Sequence, residues 1–224
     1  MAQSYNRTVR WTRGRFARWA AVVFSVGLII VFRVAQNPKP EVKEDDRLTI
    51  IEVIDGDTVR LRGGDKLRLA NIDAPEKGSP LYDEATAFLE KMVLGRPTRI
   101  EFADRRRDKY GRLLGFIYVD SVSVSEAILE NGLAYLLLFK KSELDRPRIK
   151  KFLAAQRWAM DNKVGLFSLT REPESHYIVR HGRFRLHRPG CRSVANLEAG
   201  SYRVFQTREE AIYEGYSPCR TCRP

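Results

Sequence analysis

Three short runs of alternating residues between positions 48 and 72 restrict the fold of this chain more than any other feature. Residues 48–54 and 58–62 are rich in β-branched side chains, and the turn sequence Asp55-Gly56-Asp57 separates them. A third run, residues 66–72, follows Gly63-Gly64-Asp65. Alternating β-branched runs joined by glycine-containing turns are typical of antiparallel strands. The pattern therefore predicts a three-stranded meander.

Helical spacing of apolar residues begins after this meander. Apolar positions within residues 85–93 recur every three or four residues until Gly95 and Pro97 end the pattern. The rest of the pattern predicts strands over 98–102 and 113–119 and a short helix over 123–131 that stops at Gly132. It also predicts a last helix that Asp145 would cap and that Asn162 and Gly165 would end, with one face formed by Ile149, Phe152, Leu153 and Met160. Strands followed by helices on one side predict an α+β fold with a small β-barrel, rather than a doubly wound sheet.

The first 47 residues differ in composition from the rest of the chain. Residues 1–18 are basic and contain no acidic residue, residues 19–35 are largely apolar, and residues 36–47 are charged and contain prolines. The apolar segment predicts a signal anchor that crosses a membrane as a helix, followed by a linker over 36–47. The basic flank would stay in the cytoplasm, so the remaining chain would lie outside it, in the periplasm or the extracellular space. A cleaved signal peptide, which would release a secreted protein, is the alternative.

Charged side chains stand where the predicted turns meet the predicted strands. Asp57 opens the second strand, and Asp73 and Glu76 follow the third. Converging carboxylates make a hard oxygen site for Ca²⁺ or Mg²⁺, and the guanidinium groups of Arg68 and Arg112 suit phosphate oxygens. These residues favour metal-assisted chemistry on a phosphodiester. An ordinary hairpin turn beside a solvated arginine-rich surface is the alternative interpretation.

Four sequence blocks resemble the signature blocks of the staphylococcal nuclease family, in that family's order. The blocks are Val53-Ile-Asp-Gly-Asp-Thr-Val, Leu67-Arg-Leu-Ala-Asn-Ile-Asp-Ala-Pro-Glu76, Asp108-Lys-Tyr-Gly-Arg112 and Ser125-Glu-Ala-Ile-Leu-Glu-Asn-Gly-Leu-Ala134. The resemblance covers residues 48–168 and implies an OB-type five-stranded β-barrel with about three helices. It also implies hydrolysis of DNA and/or RNA at the 5′ P–O bond, which leaves 3′-phosphate ends.

The resemblance also implies a role for each charged position. The implied roles are calcium ligation by Asp57, Asp73 and the main-chain carbonyl of Ala74, activation of water by Glu76, stabilisation of the scissile phosphate by Arg68 and Arg112, and contact with a terminal phosphate by Lys109 and Tyr110. Two base-stacking tyrosines of the family's type member are replaced by Leu138 and Lys140. Because stacking contributes about 1–3 kcal/mol per base, base preference and affinity are expected to differ.

All three cysteines lie near the C-terminus. The pair in Cys219-Arg-Thr-Cys222 is separated by a long gap from His187 and Cys191. One histidine and three cysteines predict a structural Zn²⁺ site. A redox disulfide between Cys219 and Cys222, with Cys191 free, is the alternative.

Residues 176–224, after a linker at 169–175, also resemble the zinc-binding N-terminal module of the Ada DNA-repair protein. His187 stands where that family has a methyl-accepting cysteine, so the resemblance does not imply repair activity. The module would either help to hold DNA through its arginines or serve a purely structural purpose. Together these features predict a membrane-anchored, calcium-dependent nuclease with a nucleic acid substrate and no evident protein partner. The alternative is a membrane-tethered protein that binds nucleic acid without cutting it.

Overall fold

The first three strands form the meander that the turn pattern predicted. In the computed structural model, which describes residues 46–224, β1 (Ile50–Asp55), β2 (Thr58–Leu61) and β3 (Lys66–Leu69) pair antiparallel in sequence order. Val59 and Leu67 face each other in this ladder and are fully buried. The local turn signals therefore predicted the three strands and their pairing, but the third strand ends at Leu69 and not at the predicted residue 72, because a turn follows it.

A later strand joins the meander to the rest of the sheet. β6 (Leu113–Val119) runs parallel to β3 and antiparallel to both β5 (Arg99–Arg107) and β7 (Val122–Ser123). The strand order is β1-β2-β3-β6-β5, with β7 beside β6. This sheet is consistent with the OB-type arrangement that the resemblance implied. β5 continues to Arg107, beyond its predicted end at residue 102.

Three helices pack beside this sheet at the predicted places. They are α1 (Tyr82–Val93), α2 (Val124–Glu130) and α3 (Pro147–Asp161). The Ser123 side chain caps α2 by accepting a hydrogen bond from the Glu126 N–H at 3.3 Å. The prediction that Asp145 caps the last helix is wrong. Pro147 occupies the first helical position and starts the helix there, while Asp145 ends a preceding 3₁₀ turn.

The main hydrophobic core lies between the sheet and these helices. Leu69 from the sheet, Leu89 from α1, Ile128 from α2 and Phe152 from α3 are all buried to 1% exposure or less. Burying one side chain of this size contributes about 1.5–3 kcal/mol. The core therefore fixes the strand ends from which the charged residues project.

A second sheet follows residue 176. Its strands are β9 (Tyr177–Arg180), β10 (Arg185–His187), β11 (Tyr202–Phe205) and β12 (Ser217–Pro218), in the order β11-β9-β10-β12. A short helix, α4 (Arg208–Tyr213), lies between β11 and β12, and Leu186, Phe205 and Ile212 form a smaller core. This part of the chain is called the C-terminal module below; its predicted boundary at 169–175 stays a prediction.

The C-terminal module is packed against the first sheet and its helices. Phe184, which precedes β10, belongs to the main hydrophobic core. The pairing of β4 (Ile72–Asp73) with β8 (Tyr135–Leu136) lies next to this contact, since β8 also approaches β12. Residues 46–224 fall within one compact unit, Glu44–Pro224.

The predicted signal anchor at residues 19–35 lies outside the described residues. So do the basic segment at 1–18 and nearly all of the linker at 36–47. Within residues 46–224, every helix is too short or too polar to cross a membrane.

Candidate active site and metal centre

Two aspartates and one arginine form a buried cluster at the ends of neighbouring strands. Asp57 ends the tight turn between β1 and β2, Asp73 ends β4, and Arg68 lies in β3. The Nη2 atom of Arg68 lies 2.9 Å from Oδ2 of Asp57 and 3.3 Å from Oδ1 of Asp73. All three residues are only 5–7% exposed. The structure therefore brings together three of the predicted site residues.

Tight packing around Gly56 holds Asp57 in place. A Cβ atom at position 56 would lie 2.7 Å from the Cβ of Ala85 and 2.9 Å from that of Ala74, so this turn accepts only glycine. The Ala74 N–H donates a hydrogen bond of 3.2 Å to Oδ2 of Asp57, and Thr58 donates one of 2.8 Å to Oδ1. The turn, Ala74 and helix α1 thus form one packed unit beneath the carboxylate.

The two buried carboxyl groups differ in their proton affinity. Burial raises the pKa of Asp57 to about 6, against the opposing effect of Arg68. Burial alone would also raise the pKa of Asp73, but the guanidinium groups of Arg185 and Arg220 outweigh it and hold that pKa below its ordinary value. Asp73 is therefore ionised well below neutral pH, whereas Asp57 becomes ionised only near neutral pH.

Two arginines of the C-terminal module reach this cluster. Arg185, in β10, donates a hydrogen bond of 2.7 Å to Oδ2 of Asp73. Arg220 contacts Asp73 through Nη2 and Glu76 through Nη1. Neither residue was predicted to belong to this site, because their approach to Asp73 depends on long-range packing. The only local signal was the position of Arg220 between two predicted zinc ligands.

Glu76 and the remaining predicted residues lie in more open positions. The side chain of Glu76 is 52% exposed and follows Asp73 on the loop after β4. Arg112 is held by Asp108, which accepts a hydrogen bond of 2.8 Å from its Nε atom. Within residues 46–224, Arg112 makes no hydrogen bond or ion pair with Asp57, Asp73 or Glu76. The structure therefore joins Glu76 to the cluster through Arg220 and leaves Arg112 beside it in a separate turn.

Lys109 and Tyr110 project from the same turn as Arg112. Tyr110 is 71% exposed, and its ring lies 4.9 Å from Nζ of Lys109 and 5.5 Å from the guanidinium carbon of Arg112. An exposed aromatic ring with two cations beside it is suited to contact a nucleic acid strand. Of the two positions that replace the family's stacking tyrosines, Leu138 is buried and Lys140 is exposed.

The predicted zinc ligands converge in the C-terminal module. One ligand atom from each of His187, Cys191, Cys219 and Cys222 lies within 4.8 Å of every other. All three cysteines are free thiols, and Nδ1 of His187 is buried without a hydrogen-bond partner. Burial lowers the pKa of His187, which keeps its imidazole neutral as a metal ligand requires. Four converging soft donors, one of them otherwise unsatisfied, fit a tetrahedral Zn²⁺ ion.

The aspartate cluster offers a different type of donor. Asp57 and Asp73 direct hard oxygen atoms toward one shared point, the Nη2 atom of Arg68. Carboxylate oxygens are the ligands that Ca²⁺ and Mg²⁺ prefer. The two donor sets therefore fit different metals and lie on either side of Arg220.

Several known proteins resemble this chain in sequence. Residues 66–169 match the sequence model of the family described as "Staphylococcal nuclease homologue". An "Uncharacterized endonuclease" of Escherichia coli O157:H7 is 30% identical over 136 residues, which cover 59% of this chain and 83% of that protein. "Endonuclease YncB" of Bacillus subtilis is 31% identical over 145 residues, which cover 60% of this chain and 65% of that protein.

A plant protein shows a similar but more limited match. The "Probable staphylococcal-like nuclease CAN1" of Oryza sativa is 35% identical over 106 residues, which cover 47% of this chain and 30% of that protein. The chain therefore belongs to the family of staphylococcal nuclease homologues, and it is a nuclease that hydrolyses phosphodiester bonds.

Proposed function

We propose that this chain is a calcium-dependent nuclease that cuts DNA and/or RNA at the site formed by Asp57, Arg68, Asp73 and Glu76. The observation that carries this proposal is the buried cluster of Asp57, Asp73 and Arg68 at adjoining strand ends. Asp57 and Asp73, with the carbonyl of Ala74, would hold the ion. A calcium ion bound there would polarise the phosphodiester and stabilise the charge that develops on its oxygen atoms.

The residues around this cluster have separate tasks in the reaction. Glu76 accepts a proton from the attacking water, whose oxygen forms a bond to phosphorus as the bond to the 5′ oxygen breaks. Arg68 neutralises charge on the phosphate, and its two bonds to the carbonyls of Leu69 and Ile72, at 3.1 and 3.0 Å, fix its orientation. Lys109 and Tyr110 would hold the strand beside the cut, and Arg112 would bind phosphate from the same turn.

The C-terminal module is proposed to bind one structural zinc ion through His187, Cys191, Cys219 and Cys222, as its resemblance to the Ada module implies. The convergence of these four donors supports this assignment. The N-terminal segment is proposed to anchor the chain in a membrane, with the nuclease outside the cytoplasm. Only the composition of residues 1–35 supports the anchor.

The test is cleavage of single-stranded DNA by the full chain in millimolar calcium. Wild type should cut, a chelator should stop it, and Glu76→Gln should lose at least about 100-fold in rate. Glu90→Gln is the matched control, because Glu90 is an exposed glutamate on α1. Asp73→Asn should lose calcium binding, which calorimetry measures. Cutting that needs no calcium, or that Glu76→Gln retains in full, would contradict the proposed site.

A further inference from the structure

Arg220 links the proposed zinc centre to the nuclease site. It follows Cys219 directly and precedes Cys222 by two residues, so both of its flanks belong to the cysteine cluster. Its guanidinium group bridges Asp73 and Glu76, which lie in the other part of the fold. A residue that contacts both the proposed metal ligand and the proposed base stands next to the reacting atoms.

A buried interface keeps Arg220 in this position. Gln156 of α3 donates a hydrogen bond of 2.9 Å to the carbonyl of Ile212, and Arg208 of α4 donates one of 2.6 Å to the hydroxyl of Tyr135. Phe184 of the module is buried in the main core. Moving the module away would expose this apolar surface and leave buried polar groups unpaired. The packed interface therefore keeps Arg220 next to the site in the folded protein.

The guanidinium group of Arg220 has N–H donors that its two carboxylate contacts leave unused. Arginine carries five N–H donors in a planar fork, and Arg220 uses only its two terminal nitrogen atoms on Asp73 and Glu76. Its side chain remains 48% exposed toward a cleft lined by Ala74, Tyr135 and Arg223. It can thus donate to a phosphate while it holds both carboxylates.

The guanidinium group of Arg220 lies next to the place where the scissile phosphate has to bind. Water activated by Glu76 would have to reach the phosphorus atom, and an ion held by Asp73 would polarise an oxygen atom of the same phosphate. The phosphate would therefore lie close to both carboxylates. Arg112, the other arginine expected to bind this phosphate, is held by Asp108 instead. Arg220 supplies a planar, permanently charged donor at that point.

We propose that Arg220 is a substrate-binding residue of the nuclease site, contributed by the C-terminal module, and that it binds the scissile phosphate. Arg185 acts as a positioning residue, because it contacts Asp73 through the oxygen atom that Arg220 leaves free. The cysteine cluster holds the main chain on both sides of Arg220, because Cys219 and Cys222 flank it. This inference rests on the proposed function of Asp73 and Glu76.

The experiment compares the full chain with Arg220→Ala, Arg220→Lys and the control Arg96→Ala. Arg96 has a similar exposure of 42% and also loses an ion pair, but its partner Asp120 lies outside the site. Loss of one charge-assisted phosphate contact should lower kcat/KM on single-stranded DNA about 10- to 100-fold in Arg220→Ala. Arg220→Lys should lose less, since it keeps the charge but not the fork. Arg96→Ala should match wild type.

A binding measurement separates substrate contact from a structural effect. In a Glu76→Gln background, which should bind without cutting, a short oligodeoxynucleotide should bind about tenfold more weakly when Arg220→Ala is added. Zinc content and the circular dichroism spectrum should stay the same, and Arg220→Lys serves if the alanine variant does not fold. Equal or faster cutting and equal or tighter binding by the Arg220 variants would overturn the inference. If wild type and Glu76→Gln cut DNA equally, the proposed function itself fails, and the inference fails with it.

Discussion

The side chain of Gln156 in α3 donates a hydrogen bond of 2.9 Å to the main-chain carbonyl of Ile212 in α4. The same buried side chain accepts a hydrogen bond of 2.7 Å from the N–H of Leu136 in β8. One fully buried amide therefore satisfies main-chain groups in both parts of the fold. The two parts should consequently unfold together.

Gln156→Ala should destabilise the whole protein by about 2–4 kcal/mol, because it leaves two buried main-chain groups unpaired and opens a cavity. Urea unfolding followed by circular dichroism measures this change. Gln206→Ala is the control, since Gln206 is exposed and should change stability by less than about 0.5 kcal/mol. A separate early unfolding step in wild type would show instead that the module unfolds independently.

The sequence predicted those features of the fold that depend on neighbouring residues, and it did not predict contacts between distant residues. The meander, the cap at Ser123 and the stop at Gly132 were predictable, because each depends on a few neighbouring residues. The positions of Asp57 and Asp73 at strand ends were predictable from their motifs. Arg220 was missed, since no local pattern reveals that a residue 147 positions further along the chain contacts Asp73.

Asp57 should make stability depend on pH. Its pKa in the folded protein is about 6, against an ordinary value of 3.8, so the folded state binds the proton more tightly than the unfolded state. The stabilisation from this proton is fully present below about pH 4 and is lost as the pH rises through about 6. Asp57→Asn removes this titration.

Unfolding free energies of wild type and Asp57→Asn should be compared at pH 5 and pH 8 in calcium-free buffer. Between these values wild type should lose about 1–2 kcal/mol relative to the variant. The contributions of other titrating groups to the pH dependence cancel in this comparison, because both proteins contain the same groups. Calcium should reverse the trend in wild type alone, since an ion favours the ionised carboxylate. A difference that does not change with pH would mean that Asp57 is not desolvated as the structure indicates.

Tyr110 should matter for substrate binding and not for stability. Its ring is 71% exposed, and the ring contacts found within residues 46–224 are with Lys109 and Arg112 of its own turn. Tyr110→Ala should raise KM for single-stranded DNA about 3- to 30-fold with little change in kcat. Tyr110→Phe distinguishes the two kinds of contact: it should match wild type if the ring stacks on a base, and match the alanine variant if the hydroxyl binds a phosphate.

The control for Tyr110 is Tyr213, which is 41% exposed and also carries a cation over its ring, from Arg157 at 4.6 Å. Tyr213→Ala should leave KM unchanged. Thermal unfolding of Tyr110→Ala should coincide with that of wild type. A KM equal to that of wild type would exclude Tyr110 from the substrate path.

Loss of the proposed zinc ion should affect both parts of the protein. The purified chain should contain one zinc per molecule by elemental analysis, and Cys222→Ser should contain much less. Burial, together with the neighbouring Cys191 and Cys219, raises the pKa of Cys222 to about 12. Without a metal the Cys222 thiol therefore stays protonated, and the cluster loses its cross-link. The melting temperature should therefore fall in Cys222→Ser.

The activity of Cys222→Ser tests whether the two sites are coupled. Cys222 follows Arg220 by two residues, so a disordered cluster should release the contacts of Arg220 with Asp73 and Glu76. Below the melting temperature of the variant, KM for DNA should rise as it does in Arg220→Ala, and the double variant should show no further increase, because both changes remove the same contact. Thr221→Ser is the control, since it lies between the same cysteines and keeps its hydroxyl group. Full zinc content in Cys222→Ser would show that the cluster does not bind the ion through this thiol.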